Sequence, residues 1–101
     1  MDITLDFNND KVMMKVDGVI TSENAYEFQE KLKQVLNSGK KKLEIDLSTC
    51  RNISSTGIGK LLLFYKDFLN NDGKVEIIKS SQSVYDLLTT IKLNQLFPIN
   101  L

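Results

Sequence analysis

Residues 43–68 read LEIDLSTCRNISSTGIGKLLLFYKDF, and this stretch determines the class of fold. Apolar and charged residues alternate from Leu43 to Leu47, which is typical of a strand with one buried face. A polar loop follows from Ser48 to Ser55, and the apolar spacing then becomes that of a helix from about Gly57 to Asn70. A strand, a loop and a helix in this order form the unit from which α/β proteins are built.

The segments on either side continue the alternation of strands and helices. Two alternating segments around an Asn8-Asn9-Asp10 turn predict an opening hairpin whose second strand ends at Gly18. Leu96 to Ile99 predicts a short final edge strand, where a proline can be tolerated. The other predicted elements are a helix from Thr21 to Asn37 capped by Thr21 or Ser22, a strand around Val75 and Ile77, and a helix capped by Ser81 or Ser83 that carries Val84, Leu87, Leu88 and Ile91. The order β-β-α-β-α-β-α-β predicts one α/β domain over residues 1–101, with a mixed sheet of four to five strands and three helices.

The helix after Ser55 has two different faces. The face expected to cover the sheet carries Ile58, Leu61, Leu62, Tyr65, Phe68 and Leu69, with Phe64 at its edge. The opposite face carries Thr56, Gly59, Lys60, Leu63 and Asp67. Two glycines in the first turn, Gly57 and Gly59, cost roughly 0.5–1 kcal/mol each relative to alanine, so close approach of another backbone is expected to offset the cost. Leu63 is either an apolar docking contact for a partner or is buried under a neighbouring segment.

Two serines, Ser54 and Ser55, precede this helix. One of them is expected to cap it, because a serine oxygen can accept a hydrogen bond from a first-turn amide. The other hydroxyl is then exposed and can be modified. A phosphate there would add a charge of about −1.5 to −2, which the positive end of a helix tolerates. We therefore expect a switch that acts on whatever binds this surface.

The composition excludes several function classes. The 101 residues contain no histidine and one cysteine, Cys50, so a Ser-His or Cys-His pair cannot exist, and neither a metal site nor a cofactor is expected. Thirteen basic and thirteen acidic residues cancel, which gives no electrostatic footprint for nucleic acid, even at Lys40-Lys41-Lys42. No apolar run is long enough to span a membrane and no signal peptide is visible, so we expect a cytoplasmic monomer. The remaining enzymatic alternative is a Ser55 nucleophile with a lysine as base.

The strand from Leu43 to Ser48, followed by Ile53-Ser-Ser-Thr-Gly-Ile-Gly-Lys-Leu-Leu62, resembles the signature of the STAS domain, and the resemblance extends over nearly the whole chain. It implies a STAS-like fold and the role of a bacterial anti-sigma factor antagonist. It also implies phosphorylation of Ser55 by an anti-sigma factor that is a serine kinase of the GHKL type, and a reset by a PP2C-type phosphatase. The residues expected to contact the partner are Thr21, Ser54, Ser55, Thr56, Gly57, Gly59, Lys60 and Leu63.

Two departures from the family pattern leave alternatives open. Ser54 stands where the family often has an aspartate, which makes Ser54 the runner-up acceptor of the phosphate. Thr21 stands after Gly18-Val19-Ile20 where many anti-sigma factor antagonists also carry an aspartate. The alternative function is therefore a STAS protein-interaction subunit of a transport or stress-sensing complex that is not phosphorylated.

Overall fold

A computed structural model describes all 101 residues and contains five β strands and three α helices. In chain order these are β1 (Asp2–Asn8), β2 (Lys11–Ile20), α1 (Ala25–Asn37), β3 (Lys42–Leu47), β4 (Cys50–Ile53), α2 (Ser55–Asn70), β5 (Lys74–Ser80) and α3 (Gln82–Thr90), followed by a 3₁₀ helix (Leu93–Gln95). The predicted α/β class, the mixed sheet and the three helices are confirmed.

The sheet is mixed because the chain begins with a hairpin and continues with crossovers. β1 pairs antiparallel with β2 across the two-residue turn Asn9-Asp10, in which Asn9 has a φ of +41°. The strand order is β1-β2-β3-β5, and β2 pairs in parallel with β3 and β3 with β5. β4 pairs in parallel with the last residues of β2. The carboxyl ends of the parallel strands therefore lie at the same end of the sheet, and the helices begin there.

The hydrophobic core is a single cluster of 23 buried residues. The apolar residues of β2, β3 and β5 share one face of the sheet, since side chains alternate between faces along a strand. Helices α1 and α2 pack side by side over this face. The other face carries charged residues, including Glu44, which forms ion pairs with Lys11 at 3.1 Å and Lys42 at 3.6 Å. No helix is both long enough and apolar enough to cross a bilayer.

Three predicted strand and helix boundaries are wrong. The expected loop from Ser48 to Ser55 contains β4, whose burial pattern of buried, exposed, exposed and buried residues hides the usual alternation. β2 continues beyond Gly18 to Ile20, because Gly18 adopts a φ of +100° at an irregularity in the pairing with β4. Helix α1 begins at Ala25 rather than Thr21.

The predicted final strand is also wrong. Residues 93–95 form a 3₁₀ helix instead, and the segment after it makes one isolated parallel bridge, between Ile99 and Ile77 of β5. Pro98 has no N–H group with which to extend the pairing. Phe97 and Ile99 are nevertheless buried in the core.

The buried face of α2 is rotated relative to the prediction. The buried residues are Gly57, Leu61, Phe64 and Phe68, whereas Leu69 is 52% exposed. Phe64 is buried rather than at an edge, because α1 packs against that side of the helix.

Candidate functional site

The two serines at the start of α2 have different environments. The backbone N–H of Ser54 donates to the carbonyl of Ile20 at 2.8 Å, which ties the end of β4 to β2. The Ser54 hydroxyl oxygen accepts a hydrogen bond from the Gly57 N–H at 3.1 Å, and the Ser54 carbonyl accepts from the Ile58 N–H at 2.9 Å. Ser54 is therefore the N-cap of α2, and the prediction that one serine caps the helix is confirmed.

Ser55 is the first residue of the helix and is exposed to solvent. No hydrogen bond of the structure involves its hydroxyl, in contrast with that of Ser54. Thr56, the next residue, is exposed as well. The backbone N–H groups of Ser55 and Thr56 belong to the first turn, where a helix offers donors that have no partner within the helix. A free hydroxyl thus lies beside two amides that favour negative charge.

The two glycines near the start of α2 differ from each other. Gly57 is buried, and a Cβ atom there would lie 2.7 Å from Ile20 Cγ2 and 3.0 Å from Ile53 Cγ1. The close approach expected at this position exists, but side chains rather than backbone make it. The prediction of Gly57 as a contact for a partner is wrong, because Gly57 is buried against Ile20 and Ile53. Gly59 is half-buried, and a Cβ atom there would meet nothing within 4 Å.

Thr21 lies next to this serine pair, in the loop between β2 and α1. It follows Ile20, whose carbonyl binds the Ser54 amide. Thr21 Oγ1 accepts from the Asn24 N–H at 3.1 Å, and Asn24 Oδ1 accepts from the Thr21 N–H at 2.7 Å. The Asn24 side-chain amide also donates to the Val19 carbonyl at 2.9 Å. The predicted cap at Thr21 or Ser22 is wrong, since Asn24 is the N-cap and this closed pair of bonds fixes the loop before the helix.

Lys60 and Leu63 lie further along the accessible side of α2. Leu63 is 62% exposed, so the alternative in which a neighbouring segment buries it is wrong. Beside Leu63 is a groove of about 70 Å³ between α1 and α2, and α1 contributes Gln29, Leu32, Lys33 and Leu36 to it. Sequence reasoning missed these residues of α1, because helical periodicity places them on their own helix but not against a neighbour.

Two ionisable groups near this end of the sheet are perturbed. Burial disfavours the charged form of Asp46, but hydrogen bonds from the hydroxyl and amide of Ser48, with the charges of Lys15 and Lys79, outweigh it and lower the pKa of the carboxyl. Burial raises the pKa of the Cys50 thiol, which makes it a poor nucleophile. No group of three or more acidic or cysteine side chains is placed to hold a metal ion.

Similar proteins indicate what this arrangement belongs to. A family model described as "Mlab, STAS domain" matches residues 3–98. BtrV of Bordetella bronchiseptica, assigned as an anti-sigma factor antagonist, is 23% identical over 99 residues, which cover 98% of this chain and 85% of BtrV. Both comparisons extend over nearly the whole chain, as the signature around Ser55 predicts.

Solved structures agree in fold. An assigned anti-sigma factor antagonist of Thermotoga maritima has a TM-score of 0.88 at 21% identity, covering 97% of this chain and 85% of its own. The anti-sigma factor antagonist SpoIIAA in its unphosphorylated form has a TM-score of 0.84 at 13% identity, covering 99% of this chain and 88% of its own. SpoIIAA of Bacillus in its phosphorylated form has a TM-score of 0.77 at 12% identity, covering 99% and 91% of the two chains.

Anti-sigma factor antagonists with this domain are regulators without catalytic activity. The match to the family model covers the hairpin, the serine pair and the three helices alike. By that match the chain belongs to the STAS domain family.

Proposed function

We propose that this protein is an anti-sigma factor antagonist whose binding to its anti-sigma factor is switched off by phosphorylation of Ser55. The partner is a serine kinase of the GHKL type, a PP2C-type phosphatase reverses the modification, and the cycle controls transcription by a sigma factor in the cytoplasm. The observation that carries the proposal is the exposed Ser55, whose hydroxyl no other group of the protein binds. BtrV and SpoIIAA, which bear the name anti-sigma factor antagonist, support the class of partner.

The geometry favours Ser55 over Ser54 as the acceptor. A kinase must surround the hydroxyl that it phosphorylates, and Ser54 is half-buried. Modification of Ser54 would also remove the bond to the Gly57 amide, which contributes about 1 kcal/mol to the helix. Ser55 can accept a phosphate without the loss of any bond.

A phosphate on Ser55 would act on the partner rather than on the fold. Its charge of about −1.5 to −2 lies at the positive end of a helix of 16 residues, beside the free amides of Ser55 and Thr56. The domain therefore stays folded. A partner that sits on Thr56, Gly59, Lys60 and Leu63 must then accommodate a new, strongly hydrated charge at the centre of its contact surface. The cost of that desolvation weakens the complex.

The modification can be tested with the kinase directly. Incubation with a GHKL-type anti-sigma kinase and ATP is expected to add one phosphate, measured by intact-mass spectrometry. Ser55→Ala should abolish it, whereas the matched variant Ser54→Ala should retain it. A phosphate that persists on the Ser55→Ala protein, or wild-type protein that no such kinase modifies, contradicts the proposal.

The binding surface can be tested with two leucines of the same helix. Leu63 and Leu69 are both more than half exposed, but Leu63 lies on the proposed surface and Leu69 lies at the far end of α2. We expect Leu63→Asp and Ser55→Asp, each tested without phosphorylation, to bind the anti-sigma kinase about tenfold or more weakly than the unphosphorylated wild type does. Tenfold is equivalent to about 1.4 kcal/mol. Leu69→Asp should leave it unchanged in calorimetric titration. Equal losses for the two leucines would contradict the assigned surface.

A second candidate function is a STAS subunit of a transport or stress-sensing complex that needs no phosphorylation. The name of the matched family model, "Mlab, STAS domain", favours it, because that name does not include anti-sigma factor antagonism. The same exposed surface of α2 would then be a permanent contact. Affinity purification from the native cell distinguishes the two: a transport ATPase without a kinase supports the second candidate and contradicts the first.

A further inference from the structure

A second cavity lies at the opposite end of α2 and has no part in the proposed switch. Its volume is about 340 Å³, and its apolar lining is formed by Tyr65, Leu69, Val75, Leu96, Phe97 and Pro98. Pockets that bind ligands typically begin at about 300 Å³. Leu69 is 14 residues from Ser55 along the helix, which at 1.5 Å per residue is about 21 Å. A ligand in this cavity would therefore leave the serine surface free.

The edge strand β5 forms one wall of the cavity. The C-terminal segment adds to this edge at a single point: the Ile77 N–H donates to the Pro98 carbonyl at 2.9 Å, and the Asn100 N–H donates to the Ile77 carbonyl at 2.9 Å. Tyr65 donates its hydroxyl to the carbonyl of Leu96 at 2.9 Å, so this carbonyl binds α2 before the point of pairing with β5. The cavity lies between the C-terminal segment, α2 and β5.

Pro98 explains why the pairing does not continue to Val75. Alternate residues of a strand direct their backbone groups to opposite sides, and the Lys74 N–H donates to Lys41 on the β3 side at 2.9 Å. The N–H and carbonyl of Val75 therefore face the outer edge, like those of Ile77. A partner for the Val75 carbonyl would have to be the N–H of residue 98, and proline has none. Neither group is bonded to the C-terminal segment, and Val75, which is 4% exposed, lines the cavity.

The charges at the cavity mouth are unequal. Glu76 accepts a hydrogen bond from the Asn100 side chain at 3.1 Å, and Lys42 is paired with Glu44 at 3.6 Å. Lys74 is exposed and belongs to none of the ion pairs of the structure. Among the lining residues, Lys42 and Lys74 stand against Glu76, so the lining carries one positive charge in excess. An occupant that carries a carboxylate would complement it.

We propose that this cavity binds a short extended peptide of a partner protein, which adds to β5 at Val75. An extended chain supplies both the N–H and the carbonyl that this edge requires, because groups from two successive peptide units point to the same side of a strand. An apolar side chain of the peptide would lie between Leu69 and Leu96, which are 52% and 48% exposed, and an acidic side chain would face Lys74. Addition of a strand to an open sheet edge is a general mode of peptide recognition. The C-terminal segment already uses it two residues further along the same strand.

The proposal is tested by selection of peptides from a phage-displayed random library on the 101-residue protein. We expect enriched peptides that combine apolar residues with an acidic residue and contain no proline at the paired position. Their affinity should fall about tenfold or more in Leu69→Asp and in Lys74→Glu. Leu63→Asp and Ser55→Asp, which alter only the proposed switch surface, should bind the peptides as the wild type does. If Ser55 were found not to be phosphorylated, these expectations for peptide binding would be unchanged.

Measurements on the wild type keep the test independent of any variant's stability. In a ¹⁵N-labelled sample, a selected peptide should slow the hydrogen exchange of the Val75 amide and shift the resonances of Lys74 and Glu76. Enrichment of no peptide would overturn the proposal: Lys74 and Pro98 would then only protect the edge, as charges and prolines do in natural sheets. Peptides that perturb α1 and Leu63 instead of Val75 would overturn it as well.

Discussion

Two alanine substitutions near the start of α2 should change stability in opposite directions. Gly57→Ala places a methyl group 2.7 Å from Ile20 Cγ2 and 3.0 Å from Ile53 Cγ1. Neither isoleucine can move aside easily, because each is β-branched and almost completely buried, at 0% and 3% exposure. Gly59→Ala adds the same methyl group at a position with nothing within 4 Å. Comparison of the two variants therefore separates the effect of core packing on stability from the effect of helix propensity.

The expected magnitudes follow from these two effects. Overpacking in a filled core costs about 1–3 kcal/mol, and replacement of glycine by alanine in a helix contributes about 0.5–1 kcal/mol. Gly57→Ala should thus destabilise the protein by up to about 2.5 kcal/mol, and Gly59→Ala should stabilise it by up to about 1 kcal/mol. For a domain of about this size, 1 kcal/mol shifts the Tm by about 4–8 °C.

Urea denaturation followed by circular dichroism, with both variants and the wild type in parallel, measures the difference. Equal slopes of the free energy of unfolding against urea concentration would show that the comparison is between native states. A Gly57→Ala protein as stable as Gly59→Ala would refute the assigned packing, because it would mean that Ile20 and Ile53 leave room for the methyl group.

Three further predictions concern single groups. Ser54→Ala should lower the free energy of unfolding by about 1 kcal/mol through loss of the cap, whereas Ser55→Ala should stay within about 0.5 kcal/mol in the same denaturation assay; the reverse order would contradict the assignment of the cap. In the folded protein the pKa of the Asp46 carboxyl is below its usual value of 3.8, so the carboxylate contributes its full stabilisation above pH 3.8 and loses it as the pH falls through the lower, folded-state pKa. Asp46→Asn should therefore reduce the loss of Tm on acidification in this range. A variant whose Tm falls with pH as that of the wild type does would refute this prediction. The Cys50 thiol is buried and its pKa is raised, so it should react with a thiol reagent slowly in the folded protein and rapidly in urea, and fast labelling of the folded protein would show that the site opens.

Local patterns were sufficient for the class of fold and for most elements. The alternation from Leu43 to Leu47 and the helical spacing after it each record which side of an element is buried, and that periodicity is a property of the chain itself. Ser81 caps α3 as one of its two predicted candidates, because a cap acts through amides only three residues away. The Asn9-Asp10 turn is likewise a local feature.

Contacts between distant segments decided what the sequence could not. β4 forms because residues 50–53 pair with the end of β2, and its residues do not alternate between buried and exposed. The rotation of α2, with Phe64 buried and Leu69 exposed, depends on where α1 packs. A pattern of side chains reports that a face is covered but not which element covers it.

The candidate site shows the same division. The sequence by itself determined that two serines precede a helix and that one hydroxyl would be used as a cap, since both facts depend on neighbours within three residues. Only the tertiary structure decided that the free hydroxyl belongs to Ser55, that Gly57 is closed off by Ile20 and Ile53, and that Leu63 stays in solvent. The Ser54 N–H binds the Ile20 carbonyl and Gly57 lies against Ile20; these groups are far apart along the chain and adjacent only after β2, β4 and α2 have packed together, which is why no local pattern contains these contacts.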